Sequence, residues 1–187
     1  INKRNVTLTS ATAEKEYDGA ALTKELGCRY MSLHAGFLDE NDPKAYATFV
    51  SRVEWIRDEA AKHGVTILLE SGQETAVDLL KFLKKVPGVY VNFDPANMIL
   101  YAKGNPVEAV RTLAPWIRHV HLKDAVLTKK PGTWGTEVPW GDGEVDAPRF
   151  LAELKAAGYK GNFAIEREGG NDRTGDIALA AKRLLKG

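Results

Sequence analysis

Two hydrophobic periods alternate along the chain. Short apolar runs with strand character are followed by stretches whose apolar residues recur every three or four positions, the spacing of one helix face. NVTLTSAT (5–12) predicts a strand, and GAALTKELG after it predicts a helix ended by Gly27. CRYMSLHAGF (28–37) predicts the next strand. Asp42-Pro43 opens a helix with proline at its first position, and Tyr46, Phe49, Val50, Val53, Ile56 and Ala60 share one face until Gly64. The unit then repeats: VTILLES (65–71), a helix carrying Ala76, Leu79, Leu80 and Leu83, and VYVNFD (89–94). Asn105-Pro106 caps a helix with Val107, Val110 and Leu113, and IRHVHLKD (117–124) is the next strand. Asp146, Phe150, Leu151 and Leu154 mark a helix closed by Gly158; NFAIERE (162–168) and the helix IALAAKRLL complete the pattern.

Strictly alternating strands and helices predict a parallel sheet with helical cover. About six strands are visible, whereas a closed (β/α)₈ barrel has eight and about 250 residues. The alternative, a doubly wound sheet, lacks its signature here, since no glycine-rich phosphate loop follows an early strand. Ionisable residues at the carboxyl ends of successive strands favour the barrel, because barrel active sites are assembled there. With no linker or shift in composition, residues 1–187 read as one domain.

Four strand ends carry the chemistry. Glu70 ends ILLE, Asp94 follows VNF, His119 and His121 lie in RHVH, and Glu166 ends FAIE. Side chains alternate along a strand, so His119, His121 and Lys123 share one side, as do Asn92 and Asp94. Taken singly, each reads as a solvated glutamate, a turn-forming Asp-Pro or a core histidine. Their recurrence at matching positions of successive βα units predicts instead a mouth where two Glu, one Asp and one His converge. That oxygen-rich set suits one divalent ion among Mn²⁺, Mg²⁺, Co²⁺ and Zn²⁺.

The segment LTKKPGTWGTEVPWGDGEVDAP (127–148) reads as a long loop without regular structure, folding over the mouth. Within it Trp140 is a candidate to pack on a sugar face, and Lys129 or Lys130 to meet a phosphate. His34, which SLHAGF places at a strand end, is a candidate hydroxyl contact. Lys123 and Arg167 are candidates for an anionic group.

Composition narrows the function. The 187 residues carry 26 Lys+Arg against 25 Asp+Glu, which gives no footprint for nucleic acid or an acidic membrane. No apolar run approaches the roughly 20 residues of a membrane span. Cys28, the single cysteine, excludes an internal disulfide and fits a reducing compartment. The Ile1-Asn-Lys-Arg start predicts no export leader, and the expected location is cytoplasmic.

LLESGQETA, VNFDPANM, HVHLKD, PWGDGEVD and GYKGNFAIERE resemble the xylose-isomerase-like TIM-barrel superfamily, and within it the sugar phosphate isomerase/epimerase group. The resemblance runs from about Cys28 to the end of the chain. It implies a (β/α)₈ barrel and a divalent ion held by Glu70, Asp94, His121 and Glu166. It also implies that Glu70 and Glu166 exchange protons with a sugar or sugar phosphate. Apurinic-site endonucleases of the same superfamily use additional histidines. Here Asn97 stands three residues after Asp94, and the chain has only four histidines, which disfavours a phosphodiesterase. Asn97 joins His34, Lys123, Trp140 and Arg167 as a candidate substrate contact.

Against this pattern the first two βα units have no counterpart. The expectation is a barrel lacking them, whose gap is covered by a partner chain, as in a homo-oligomer, or by a longer precursor. A non-catalytic sugar-binding member is the remaining alternative.

Overall fold

The structure is a computed structural model that describes residues 19–38 and 41–185. The strand expected at 5–12 lies outside the described residues. In order, the elements are α1 (Gly19–Glu25), β1 (Tyr30–Leu33), α2 (Pro43–Lys62), β2 (Thr66–Glu70), α3 (Ala76–Lys85), β3 (Tyr90–Phe93), α4 (Pro95–Leu100) and α5 (Pro106–Leu113). After a single 3-10 turn come β4 (Ile117–Leu122), β5 (Asp124–Val126), β6 (Thr136–Val138), α6 (Ala147–Ala156), β7 (Asn162–Ile165) and α7 (Arg173–Leu184).

Five strands form one parallel sheet in the order β1-β2-β3-β4-β7, each βα unit laying its strand beside the previous one. This is the sequential order of a (β/α) barrel, present as a five-stranded partial barrel, and β1 and β7 are the sheet's edges among the described residues. Glu70 pairs in register with Asn92, Asn92 with His119, and His121 with Ala164, so Glu70, Asn92 and His119 stand at one level while Asp94, His121 and Glu166 follow further toward the carboxyl ends of their strands.

Local sequence dictates most helix starts. Asp42 accepts hydrogen bonds from the Lys44 and Ala45 amides, and Asn105 from those of Val107 and Glu108. Each precedes a proline whose missing N–H would be unpaired there anyway. The helices bury one face against the outer side of the sheet. Phe93 of β3 stacks on Phe150 of α6 with ring centroids 5.8 Å apart, and Phe49 of α2 meets Phe82 of α3 at 5.3 Å. Phe82, Phe93, Phe150, Leu83 and Leu113 are almost completely buried. No helix among the described residues is long and apolar enough to cross a membrane.

Segment 127–148, expected to be irregular, is shaped by an antiparallel hairpin of β5 and β6. Its strands have three residues each, too few for an alternation to show in the sequence. A buried carboxylate fixes the chain beyond the hairpin: Asp124 accepts the amides of Ala125, Gly141, Gly143 and Val145 at 2.9 to 3.1 Å. Gly143 lies so close that a Cβ there would run into Asp124 Oδ1 and the Ala125 carbonyl oxygen. Gly143→Ala is expected to destabilise the fold by about 1–3 kcal/mol, the usual cost of overpacking. The urea midpoint reads this, and an unchanged midpoint would show that the approach is not close.

Trp140 is corrected by the same segment. It is 4% exposed and packs edge-on against Phe150, while its carbonyl accepts from Arg183. It belongs to the core and not to the mouth.

Candidate active site

At the carboxyl edge of the sheet, Glu70 is the last residue of β2, Asp94 follows β3, His121 is the fifth residue of β4, and Glu166 follows β7. Each offers one ligand atom, and the four atoms lie within 4.8 Å of one another. His121 Nδ1 lies 2.9 Å from Glu166 Oε2, 3.7 Å from Glu70 Oε1 and 3.8 Å from Asp94 Oδ2.

Asp94 divides its work between its two oxygens. Oδ1 caps α4, accepting from the Ala96 amide at 2.8 Å and the Asn97 amide at 3.1 Å. Oδ2 faces the cluster. Asp94 Oδ2, His121 Nδ1 and Glu166 Oε2 are buried side-chain atoms that form no well-aligned hydrogen bond, although they lie within ion-pair distance of one another or of Lys123. Buried polar atoms are normally satisfied, because an unmet one costs about 1–3 kcal/mol. Three such atoms converging, with Glu70 beside them, fit a bound cation. Three hard carboxylate oxygens and one imidazole nitrogen match the donors that Mn²⁺, Mg²⁺, Co²⁺ and Zn²⁺ accept.

Several neighbours tie the carboxylates down. Asn97 Nδ2 donates to Glu70 Oε1 at 3.1 Å, and His34 Nε2 lies 3.2 Å from the same oxygen. Gly72, at φ +120°, brings the loop after β2 so near α4 that a Cβ would collide with Asn97. Lys123, 2% exposed, reaches Glu168 at 2.6 Å, Glu166 at 3.3 Å and Asp94 at 3.5 Å.

These contacts set the charges. Burial would raise the Glu70 carboxyl, but His121 and His34 outweigh it and hold the group well below the usual carboxylate range. Burial opposes protonation of His121, yet Asp94, Glu166 and Glu70 raise the imidazole well above its ordinary value. Lys123 is likewise raised by Asp94, Glu166 and Glu168 against the effect of burial. Burial, with His121 nearby, pushes His119 down to about 4.

A fourth buried carboxylate lies in the loop after β2. Burial pushes Glu74 from 4.5 to about 7; the Gly72 amide, Lys103 and His34 oppose this and Asp78 adds to it. Between those values the folded chain holds a proton that the unfolded chain has released. The resulting stability is fully present below pH 4.5 and lost as pH rises through 7. The ionised form above pH 7 costs roughly 3 kcal/mol. Glu74→Gln is therefore expected to be more stable than the wild type at pH 8 and nearly equal at pH 4. Denaturant midpoints at the two pH values check this, and equal midpoints at pH 8 would mean a solvated carboxylate.

Of the expected substrate contacts, His34, Asn97 and Lys123 surround the cluster. Arg167 does not face it: its guanidinium is committed to Glu137 of β6 at 2.8 Å and Asp176 of α7 at 2.7 Å, bracing the hairpin against the end of β7. Three features escape the sequence reasoning. Glu168, the main partner of Lys123, is marked there only by its two-residue spacing from Glu166. Asn92, Ser32 and His119 form a hydrogen-bonded layer beneath the cluster. Phe37, Tyr101 and Trp134, from three separate segments, meet edge to face at 5.8 and 5.2 Å, with Phe37 and Trp134 exposed. Nothing in the sequence marks their meeting.

Known proteins share this fold. SgbU of Escherichia coli K12, named as a proposed L-ribulose-5-phosphate 3-epimerase, is 30% identical over 157 residues, covering 78% of this chain and 54% of SgbU. The chain spans about half the length of the curated relatives it matches. The crystal structure of a xylose isomerase domain protein from Planctomyces limnophilus superposes with a TM-score of 0.84 at 38% identity, covering 89% of this chain and 62% of that one. A xylose isomerase-like TIM barrel protein from Mycobacterium smegmatis, solved in complex with magnesium, shares the fold at a TM-score of 0.71 and 21% identity, over 89% and 63% of the two chains. Residues 14–186 match the family described as xylose isomerase-like TIM barrel, and with a partial barrel of that topology and its ionisable residues at the strand ends, this chain belongs to that family.

Proposed function

We propose that this chain carries the catalytic centre of a divalent-metal-dependent isomerase or epimerase. Its substrate is a ketose, a sugar phosphate or a related polyhydroxy carbonyl compound, and residues 1–187 work as one domain. The observation that carries this reading is the convergence of Asp94 Oδ2, His121 Nδ1 and Glu166 Oε2, buried and without a well-aligned hydrogen bond, beside Glu70.

Glu70, Asp94, His121 and Glu166 would hold the ion, which when bound would supply Lewis-acid stabilisation of the negative charge developing on the carbonyl oxygen. In strand order Glu70 and Glu166 are the outer members, on either side of Asp94 and His121. A substrate seated over the centre therefore lies between two carboxylates. One removes the proton from the carbon beside the carbonyl. The other returns a proton to the opposite face of that carbon, which epimerises it, or to the former carbonyl carbon while the hydroxyl proton passes to the former carbonyl oxygen, which isomerises the sugar. Proton transfer requires the base within about 3 Å of its proton, and the contacts of Glu70 with Asn97 and His34 restrain it for that purpose.

His34, partly open to solvent, is placed to meet a substrate hydroxyl. Lys123 compensates the carboxylates and meets anionic character in the substrate. The name of SgbU supports a phosphorylated ketose as one substrate to test.

The test is a count of divalent ions per purified chain, combined with solvent-deuterium exchange into a panel of ketoses and ketose phosphates. One ion per chain and exchange beside the carbonyl are expected. Chain that takes up an ion but exchanges no ketose would fit a binding protein instead.

A further inference from the structure

Asn92 joins three strands beneath the carboxylates. It is fully buried on β3, between Ser32 of β1 and the two histidines of β4. Its Nδ2 lies 2.9 Å from Ser32 Oγ and 3.1 Å from His121 Nε2, and its Oδ1 lies 2.8 Å from His119 Nδ1. The amide has one donor end and one acceptor end, a neutral imidazole can carry its proton on either nitrogen, and a hydroxyl rotates. With both imidazoles neutral, as a cation at the cluster would require of His121, these four groups can satisfy one another in two ways.

In the first, the amide nitrogen donates to Ser32 Oγ and His121 Nε2, and Oδ1 accepts from His119 Nδ1–H. His121 then carries its proton on Nδ1, the atom that faces Glu70, Asp94 and Glu166. A protonated nitrogen has no lone pair for a cation. In the second, the amide is turned end for end. Oδ1 accepts from Ser32 Oγ–H and His121 Nε2–H, the amide nitrogen donates to His119 Nδ1, and His121 Nδ1 offers its lone pair to the cluster. The heavy atoms scarcely move, because the two ends of an amide have nearly the same shape.

We infer that Asn92 is the positioning residue of the metal centre: by turning its oxygen toward His121 it fixes the Nε2–H form that presents Nδ1 to the ion, with His119 held in the matching Nε2–H form. This rests on the metal-site reading above. The partner that a ligating histidine uses for its other nitrogen is here a neutral amide, itself oriented by a serine and a second histidine. Such a partner matters because it fixes both the tautomer and the ring orientation.

Three chains test this: wild type, Asn92→Leu and Asn92→Asp. Zinc affinity is measured by calorimetry, and imidazole protonation by nitrogen-15 NMR of the zinc-loaded protein. The leucine side chain cannot accept from His121, and zinc binding is expected to weaken by about 10–100-fold. The aspartate only accepts, so Asn92→Asp is expected to stay within a few-fold of wild type. The loaded wild type is expected to show Nε2–H on both His119 and His121; this spectrum needs no variant and stands even if Asn92→Leu fails to fold. Wild-type affinity in a folded Asn92→Leu, or Nδ1–H on His119 in the loaded wild type, overturns the inference and leaves the metal site intact. A wild-type chain that takes up no divalent ion overturns the metal site and the inference together.

Discussion

Asp94→Asn is expected to abolish divalent-ion uptake while leaving the fold in place. The substitution separates the two jobs of this side chain. Asparagine is as good a helix cap as aspartate, so the bonds to the Ala96 and Asn97 amides survive. The oxygen that faces His121 and Glu166 becomes neutral or is replaced by an amide nitrogen with protons aimed at the ion. Affinity should fall by more than the roughly 10–100-fold cost of losing an outer partner, since a ligand itself is removed. The readout is the metal-induced rise in unfolding free energy, about 2.7 kcal/mol at a free-ion concentration of 100 times Kd for the wild type. That rise should vanish in Asp94→Asn, whereas the metal-free protein should unfold close to its wild-type midpoint. Full metal-induced stabilisation of the variant would remove Asp94 from the site. Asp94→Ala loses cap and ligand together, so it is the less informative substitution.

The second large effect is kinetic. Glu70→Gln and Glu166→Gln are each expected to slow exchange of the hydrogen beside the substrate carbonyl by ~10²–10⁴-fold, the range for losing a general acid or base. Both residues are also proposed ligands, so ion occupancy has to be measured in the same samples and restored with excess metal. A variant that is metal-loaded yet exchanges at the wild-type rate is not the base or the acid. Unequal losses would order the two steps. The carboxylate that takes the first proton limits exchange directly.

Much of this is legible in the sequence because it is local. A strand alternates its side chains and a helix repeats every three to four residues, so VTILLES, VYVNFD, IRHVHLKD and NFAIERE can be recognised one at a time. Each carries its ionisable residue at the end where a parallel strand leaves the sheet. The described strands fall where those runs lie, each two or three residues shorter in all, mostly by the polar residues at its carboxyl end, where pairing stops. In sequence Asp94 shows only as a strand end with a turn-forming proline. That it also caps α4, a six-residue helix, reflects the same Asp-Pro device seen at Asp42.

What the sequence by itself determined is the alternation of strands and helices, and with it the set of four side chains at successive strand ends. These depend on periodicity and on the fixed direction of each strand. Only the tertiary structure decided which polar groups meet: Asn92 with Ser32, 60 residues apart, Arg167 with Glu137, 30 apart, and Lys123 with Glu168, 45 apart. It also decided that Trp140 belongs to the core and Trp134 to the surface. Two tryptophans six positions apart in one glycine-rich segment look alike in sequence. Their fates diverge because the four amide bonds to Asp124 turn the chain at Gly141 and Gly143, drawing Trp140 onto Phe150. Such bonds are set by how the sheet brings distant segments together, and no local period records them.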